Sequence, residues 1–359
     1  MAVEIQKLTP ENLDGVSSIL ILCWGLLGDV FIRVPLIEAV RKRFPKARIV
    51  VVVDPVAVAV LENHPDCDEI ISFSRKKRPR WRYLTQTLHQ LLSLRRQHFD
   101  ICIDLYAGGS SPRFSRIINA ETRISFGHTE ALRRANNVLV EHPSFSDSWS
   151  KALGTMLGPL GLTSSDIRQG TSFYCSASAI EYAHRFVEDK SRPLVAFNLG
   201  AGASDKRWPV ECFAALAREI NRRHGFTPLV FTNPGMEELA EEFSHQYGDA
   251  AVIAPLLSLE RVAALMLECD YVVTGDTSLM HMVFGLKRPT LALFTYTRPE
   301  MVMPEDCLVE ACFVESDSGH EYCGKPAGSV DIPVAVAVDQ FEALRQTCAR
   351  LKDCERVMS

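Results

Sequence analysis

The sequence predicts an α/β protein built from two Rossmann-like domains, each with a parallel sheet. Short, near-continuous apolar runs alternate with segments of helical periodicity, which is the pattern of strands buried on both faces in βαβ units. The pattern begins afresh after residues 165–192, where Ser, Gly and Asp cluster. A chain of 359 residues is also too long for one ordinary core and comfortable for two.

In the first half the expected strands are Ile19 to Cys23, Ile49 to Val53, Glu69 to Phe73, Ile101 to Leu105 and Arg123 to Phe126. In the second they are Leu194 to Asn198, Pro228 to Thr232, Ala251 to Ile253, Tyr271 to Thr274 and Thr290 to Phe294. Helical periodicity marks Pro35 to Phe44, Val210 to His224 and Leu259 to Glu268. A closing amphipathic helix is expected over Asp339 to Lys352, with Phe341, Leu344, Cys348 and Leu351 on one face. The expected domains are 1–175 and 176–335, followed by the closing helix in 336–359.

Apolar content of 47% and charged content of 23% are ordinary for a globular protein. A net charge of −5 argues against a general nucleic-acid-binding surface. The opening MAVEIQKLTPENLDGVSS carries acidic residues and no apolar core of a signal peptide, and no stretch has the roughly 18 apolar residues that span a bilayer. A cytoplasmic protein is expected, with peripheral contact to a membrane surface left open. Eleven cysteines without a CxxC pair read as reduced thiols. Cys307, Cys312, His320 and Cys323 have the residue types of a zinc site but irregular spacing, so a metal and ordinary loop cysteines both stand as readings.

Two strand-to-helix junctions carry acidic residues where apolar strands end. In open parallel sheets ligands bind at the carboxyl ends of strands, where helix N-termini offer unpaired N–H groups and positive dipole to anions. At the first junction Asp29 follows Gly28 at a helix start; the dipole favours its ionised form, and an ionised carboxylate can take a proton from an attacking hydroxyl. A capping Asp explains the same position. At the second, Asp276, Thr277, Ser278, Leu279 and Met280 open a helix whose N–H groups can hold a pyrophosphate, and His281 follows one turn in.

Between them lies GAGASDKRW, where Gly200 and Gly202 permit close backbone approach and Lys206, beside Ser204, can neutralise charge building on a departing diphosphate. This is not a P-loop, because GxxxxGK[ST] is absent. Glu237, after Asn233 and Gly235, is placed to accept from ribose hydroxyls or to serve the helix dipole. Asp66-Cys67-Asp68 spells a DxD but precedes a first-domain strand and reads as a loop-to-strand junction. The run Arg75, Lys76, Lys77, Arg78, Arg80 and Arg82, interleaved with Trp81 and Tyr83, is the densest positive charge; it reads as an anionic-acceptor or membrane contact, or as a solvated loop.

These segments carry a resemblance. LLGDV with its Pro-bearing helix and RFPKARIVVVV, then Phe99 to His128, Asn198 to Ile220 and Thr274 to Glu300, resemble glycosyltransferase family 9, the ADP-heptose:lipopolysaccharide heptosyltransferases, in consistent order from about residue 18 to 302. The resemblance implies a GT-B fold: two Rossmann-like domains with parallel sheets facing a cleft, the acceptor on the N-terminal side with Gly28 and the basic run, the nucleotide sugar on the C-terminal side, and a last helix crossing back to the first domain. It implies inverting, metal-independent transfer of a heptose from ADP-heptose to an anionic saccharide or glycolipid acceptor of lipopolysaccharide core type at the inner membrane, with no cofactor. Asp29 takes the place of the general base and Lys206 that of the leaving-group cation.

The sequence departs from the family at Cys23, where Lys or Arg is usual. It also departs at Ala201 and Gly202, at Ser278, and at Thr295, Tyr296 and Arg298. These departures bear on which sugar and base are bound. Transfer of another nucleotide sugar to a protein or secondary metabolite, and a catalytically silent nucleotide-sugar-binding relative, are the alternative readings.

Overall fold

The computed structural model describes residues 13–74, 88, 90–142, 149–202, 207–248, 250–294, 297–313 and 332–358. The chain divides into two compact units between Arg168 and Gln169. In the first, β1 (Ser18–Leu22), β2 (Arg48–Val53), β3 (Glu69–Ser72), β4 (Phe99–Asp104), β5 (Ala120–Phe126) and β6 (Val138–Val140) form one sheet in the order β3-β2-β1-β4-β5-β6. In the second, β7 (Leu194–Asn198), β8 (Thr227–Phe231), β9 (Val252–Ile253), β10 (Tyr271–Gly275), β11 (Thr290–Phe294) and β12 (Val309–Phe313) form the order β12-β11-β10-β7-β8-β9. Every pairing is parallel.

Both sheets therefore have the doubly wound order, which reverses direction between β1 and β4 in one unit and between β7 and β10 in the other. Each reversal point positions a candidate half-site within its own unit. The strands beside these points are mostly apolar, as in strands covered on both faces, and β7, β10 and β11 are buried along their whole length. The edge strands β6 and β12 are only partly buried and were not anticipated from the sequence.

Aromatic contacts fix each core. Trp24 meets Phe114 edge-on at 4.8 Å between ring centroids in the first unit, and Tyr271 meets Phe341 at 5.2 Å in the second. Phe341 belongs to the closing helix Val334–Met358, which packs on the helix Val210–His224 and on β11 and β12. Phe341, Leu344 and Cys348 are buried there, but Leu351 is 46% exposed and leaves the apolar face expected for it. Among the described residues no helix is long and apolar enough to cross a membrane.

Candidate active site

In the first unit the site begins where β1 ends. Cys23 is fully buried, and burial pushes its thiol pKa up although the Arg33 guanidinium beside it works the other way. Arg33 donates to the Trp24 carbonyl and so ties the helix that follows back to the strand end. Gly25 turns the chain with φ +151° and donates its N–H to Asp54 Oδ2 at 3.1 Å. A Cβ on Gly25 would lie 2.5 Å from Asp29 Cβ, so only glycine lets that side chain fold back on the turn.

The helix Leu27–Phe31 places Asp29 at its third position and Gly28 at its second; the turn expected at Gly28 is made at Gly25. Asp29 Oδ2 accepts from the Leu26 N–H at 2.8 Å, and Oδ1 meets no donor among the described residues. Asp29 is half-buried. The carboxylate thus caps its helix with one oxygen and has the other to offer.

Across the reversal point, Asp104 at the end of β4 pairs in register with Leu22. It is fully buried, accepting from the Ala107 N–H at 3.0 Å through Oδ1 and from Ser111 Oγ at 2.6 Å through Oδ2. Burial pushes its pKa up, against these bonds, which favour the charged form. The carboxyl holds a loop in which Ala107 takes φ +45°, a conformation costly for a residue with a Cβ. Sequence reading missed Asp104, although an acidic residue closing the apolar run ICID was a signal.

In the second unit the reversal point joins Asn198, ending β7, to Thr274 in β10; the two are register partners and both are buried. Asn198 Nδ2 donates to Thr274 Oγ1 at 2.9 Å and to Thr277 Oγ1 at 3.1 Å. Asn198 Oδ1 is buried and unpartnered among the described residues. Thr277 is the N-cap of the helix Ser278–Gly285 but makes no side-chain cap. The Met280 N–H donates to the Thr277 carbonyl at 3.1 Å. Those of Ser278 and Leu279, at the first two positions, have no acceptor within the helix. The Met280 side chain is core, whereas His281 is half-buried with its ring edge-on to Phe284 at 6.2 Å. Asp276 Oδ2 accepts from the Thr297 N–H at 3.1 Å, fixing the strand end to the next loop.

Around this end, a Cβ on Gly200 would lie 2.5 Å from Asn233 Nδ2, so the loops after β7 and β8 touch there, while a Cβ on Gly202 would meet nothing within 4 Å among the described residues. Glu237 is exposed at the start of the helix Glu238–Tyr247. Ser204 and Lys206, the basic residues Arg75, Lys76, Lys77, Arg78 and Arg80, and Thr295 and Tyr296 lie outside the described residues.

Of the proposed metal group, His320 and Cys323 are also outside the described residues. Cys312 is buried within β12, and the Cys307 thiol donates to the Arg288 carbonyl at 3.2 Å. Among the described residues His98, Asp100 and Glu121 lie close enough to share an ion, but at the opposite ends of β4 and β5 from the reversal point. Asp100 there accepts from the N–H groups of Ser17 and Ser18 at 2.7 and 2.9 Å. In the DxD, Asp68 accepts from the Ile49 N–H at 2.7 Å and pairs with Arg41, a junction contact.

The sequence profile of glycosyltransferase family 9 (heptosyltransferase) matches residues 89–323. The chain belongs to this family. The family 9 chain is 32% identical over 125 residues to lipopolysaccharide heptosyltransferase 2 of Salmonella typhimurium, a match spanning 33% of the chain and 36% of that enzyme. It is 21% identical over 326 residues to lipopolysaccharide core heptosyltransferase OpsX of Haemophilus influenzae, covering 89% of the chain and 91% of the relative. The solved structure of E. coli ADP-heptose lps heptosyltransferase II superposes with a TM-score of 0.74 at 20% identity, covering 91% of the chain and 98% of that structure. The fold of the family 9 chain is therefore the GT-B fold that its sequence led us to expect.

Proposed function

We propose that this family 9 chain transfers a heptose from ADP-heptose to a saccharide acceptor of lipopolysaccharide core type, with inversion and without a metal. The observation that carries the reading is that the helix Ser278–Gly285, at the β7–β10 reversal point, keeps an uncapped N-terminus in a chain of this family. Backbone N–H groups and helix dipole suit a diphosphate at that place.

In the proposed reaction the acceptor oxygen attacks the anomeric carbon from the face opposite the diphosphate, and the carbon–oxygen bond to the diphosphate breaks. Asp29 takes the acceptor proton on Oδ1, the oxygen not engaged by Leu26. Lys206 and the N–H groups of Ser278 and Leu279 meet the charge that builds on the departing ADP. Glu237 serves the ribose, His281 the sugar, and Gly200, Gly202 and Ser204 the approach of the loop to the donor. The acceptor meets Gly28 and the basic run Arg75 to Arg82, whose charge also suits an anionic membrane surface.

The test is transfer itself. Incubated with ADP-heptose and a phosphorylated, Kdo-bearing saccharide, the protein should yield a glycoside of inverted anomeric configuration, in excess EDTA as without it. Retained configuration would contradict the mechanism, and activity lost in EDTA and restored by Mg²⁺ or Mn²⁺ would contradict metal independence.

A further inference from the structure

We propose that Asn198 is a positioning residue for donor binding, keeping the hydroxyl of Thr277 from capping its own helix so that the helix end stays open to a nucleoside diphosphate. The inference rests on the donor site proposed above and concerns a residue given no part in that reaction. Thr277 has the residue type and the extended backbone (φ −137°, ψ 169°) of an N-cap that accepts from the first turn, yet no N–H of its helix reaches its oxygen. What reaches it is the Asn198 amide, at 3.1 Å.

The direction of these bonds follows from their neighbours. Thr274 Oγ1 donates to the Gly275 carbonyl at 3.1 Å, so toward Asn198 it accepts. The amide nitrogen is then the group held between the two threonines, one N–H to each. Thr277 Oγ1 accepts from Asn198, and its own proton is left to donate to an anion. With the Thr274 bond buried between paired strands, the amide has no freedom to turn. Its Oδ1 finds no donor among the described residues, so what the buried side chain contributes there it contributes through its two N–H groups. Asn198 thus changes Thr277 from an acceptor that would consume a first-turn N–H into a donor beside the open ones.

The test is ADP binding by calorimetry, with steady-state kinetics alongside. Asn198→Ala frees Thr277 to cap, and ADP must then displace a cap, so its Kd should rise about five- to tenfold. Donor KM should rise with it, while acceptor KM and kcat at saturating donor hold. In a Thr277→Ala background, where no cap can form, adding Asn198→Ala should change the ADP Kd less than twofold. If Asn198→Ala does not fold, Asn198→Ser, too short to reach Thr277, should give the same rise. An ADP Kd within twofold of wild type in the folded single variant, or a rise undiminished by Thr277→Ala, would overturn the inference and leave the donor site standing. Wild-type protein that fails to bind ADP would overturn the donor site and this inference together.

Discussion

Asp100 and Asp104 stand at opposite ends of β4 and are shifted in opposite directions. At the N-terminal end, burial raises the Asp100 pKa, but donors from Ser17 and Ser18 outweigh it and hold the carboxyl below its usual range. At the C-terminal end, burial dominates and Asp104 is raised. A lowered Asp contributes stability that is present above its unfolded pKa of about 3.9 and lost as pH falls through the folded value. A raised Asp works the other way: its contribution is full below about pH 3.9 and is lost as pH rises through the folded value.

Melting temperatures from pH 3 to 8 should therefore separate the two. Asp100→Ala should cost about 1–2 kcal/mol at neutral pH, with the difference from wild type shrinking toward pH 3. Asp104→Asn should remove a decline in wild-type stability as pH rises from 4. Parallel profiles for wild type and both variants would contradict the assignments.

Gly25→Ala should disturb Asp29. The added Cβ requires φ +151° of a residue with a side chain and meets Asp29 Cβ at 2.5 Å, so the carboxylate must leave the Leu26 N–H. A stability loss of about 1–3 kcal/mol is expected, together with loss of turnover and little change in ADP affinity. Unchanged stability and turnover would show that the turn accommodates the methyl group.

Much of the fold was legible because central strands buried on both faces are apolar over most of their length, as β1, β2, β7, β10 and β11 are, with polar residues such as Ser18, Arg48, Asn198, Thr274 and Thr290 at or near their ends. The edge strand β12 escaped because Glu310 breaks its apolar run, and β6 because its apolar run, Val138–Val140, is only three residues long. Leu351 followed the helical period but is 46% exposed, so periodicity alone misplaced it. At the site, Asp29 could be found from its strand-end position, yet the turn that shapes it was put at Gly28 rather than Gly25, since only backbone geometry distinguishes them. Asn198 and Thr277 are 79 residues apart, and no local pattern announces a hydrogen bond across that separation.

Gly200→Ala should act on the donor alone. Its Cβ would lie 2.5 Å from Asn233 Nδ2, forcing apart the loops after β7 and β8 just before the segment that carries Lys206. An overpacking cost of about 1–2 kcal/mol corresponds to a rise of roughly 5- to 30-fold in ADP Kd if it falls on the bound state. Calorimetry reads the ADP affinity, and acceptor KM should be unmoved; a change in acceptor KM without one in ADP affinity would place this loop elsewhere in the chemistry.

The central claim, that Asp29 is the general base of a glycosyl transfer, is tested most directly by the turnover of Asp29→Asn. The amide oxygen can still accept from Leu26, so the helix cap is kept while the base is removed. The account predicts a fall in kcat of about 10²- to 10⁴-fold with ADP affinity and melting temperature close to wild type. Wild-type turnover in the folded variant would contradict it, as would an activity loss accompanied by an equally large loss of stability.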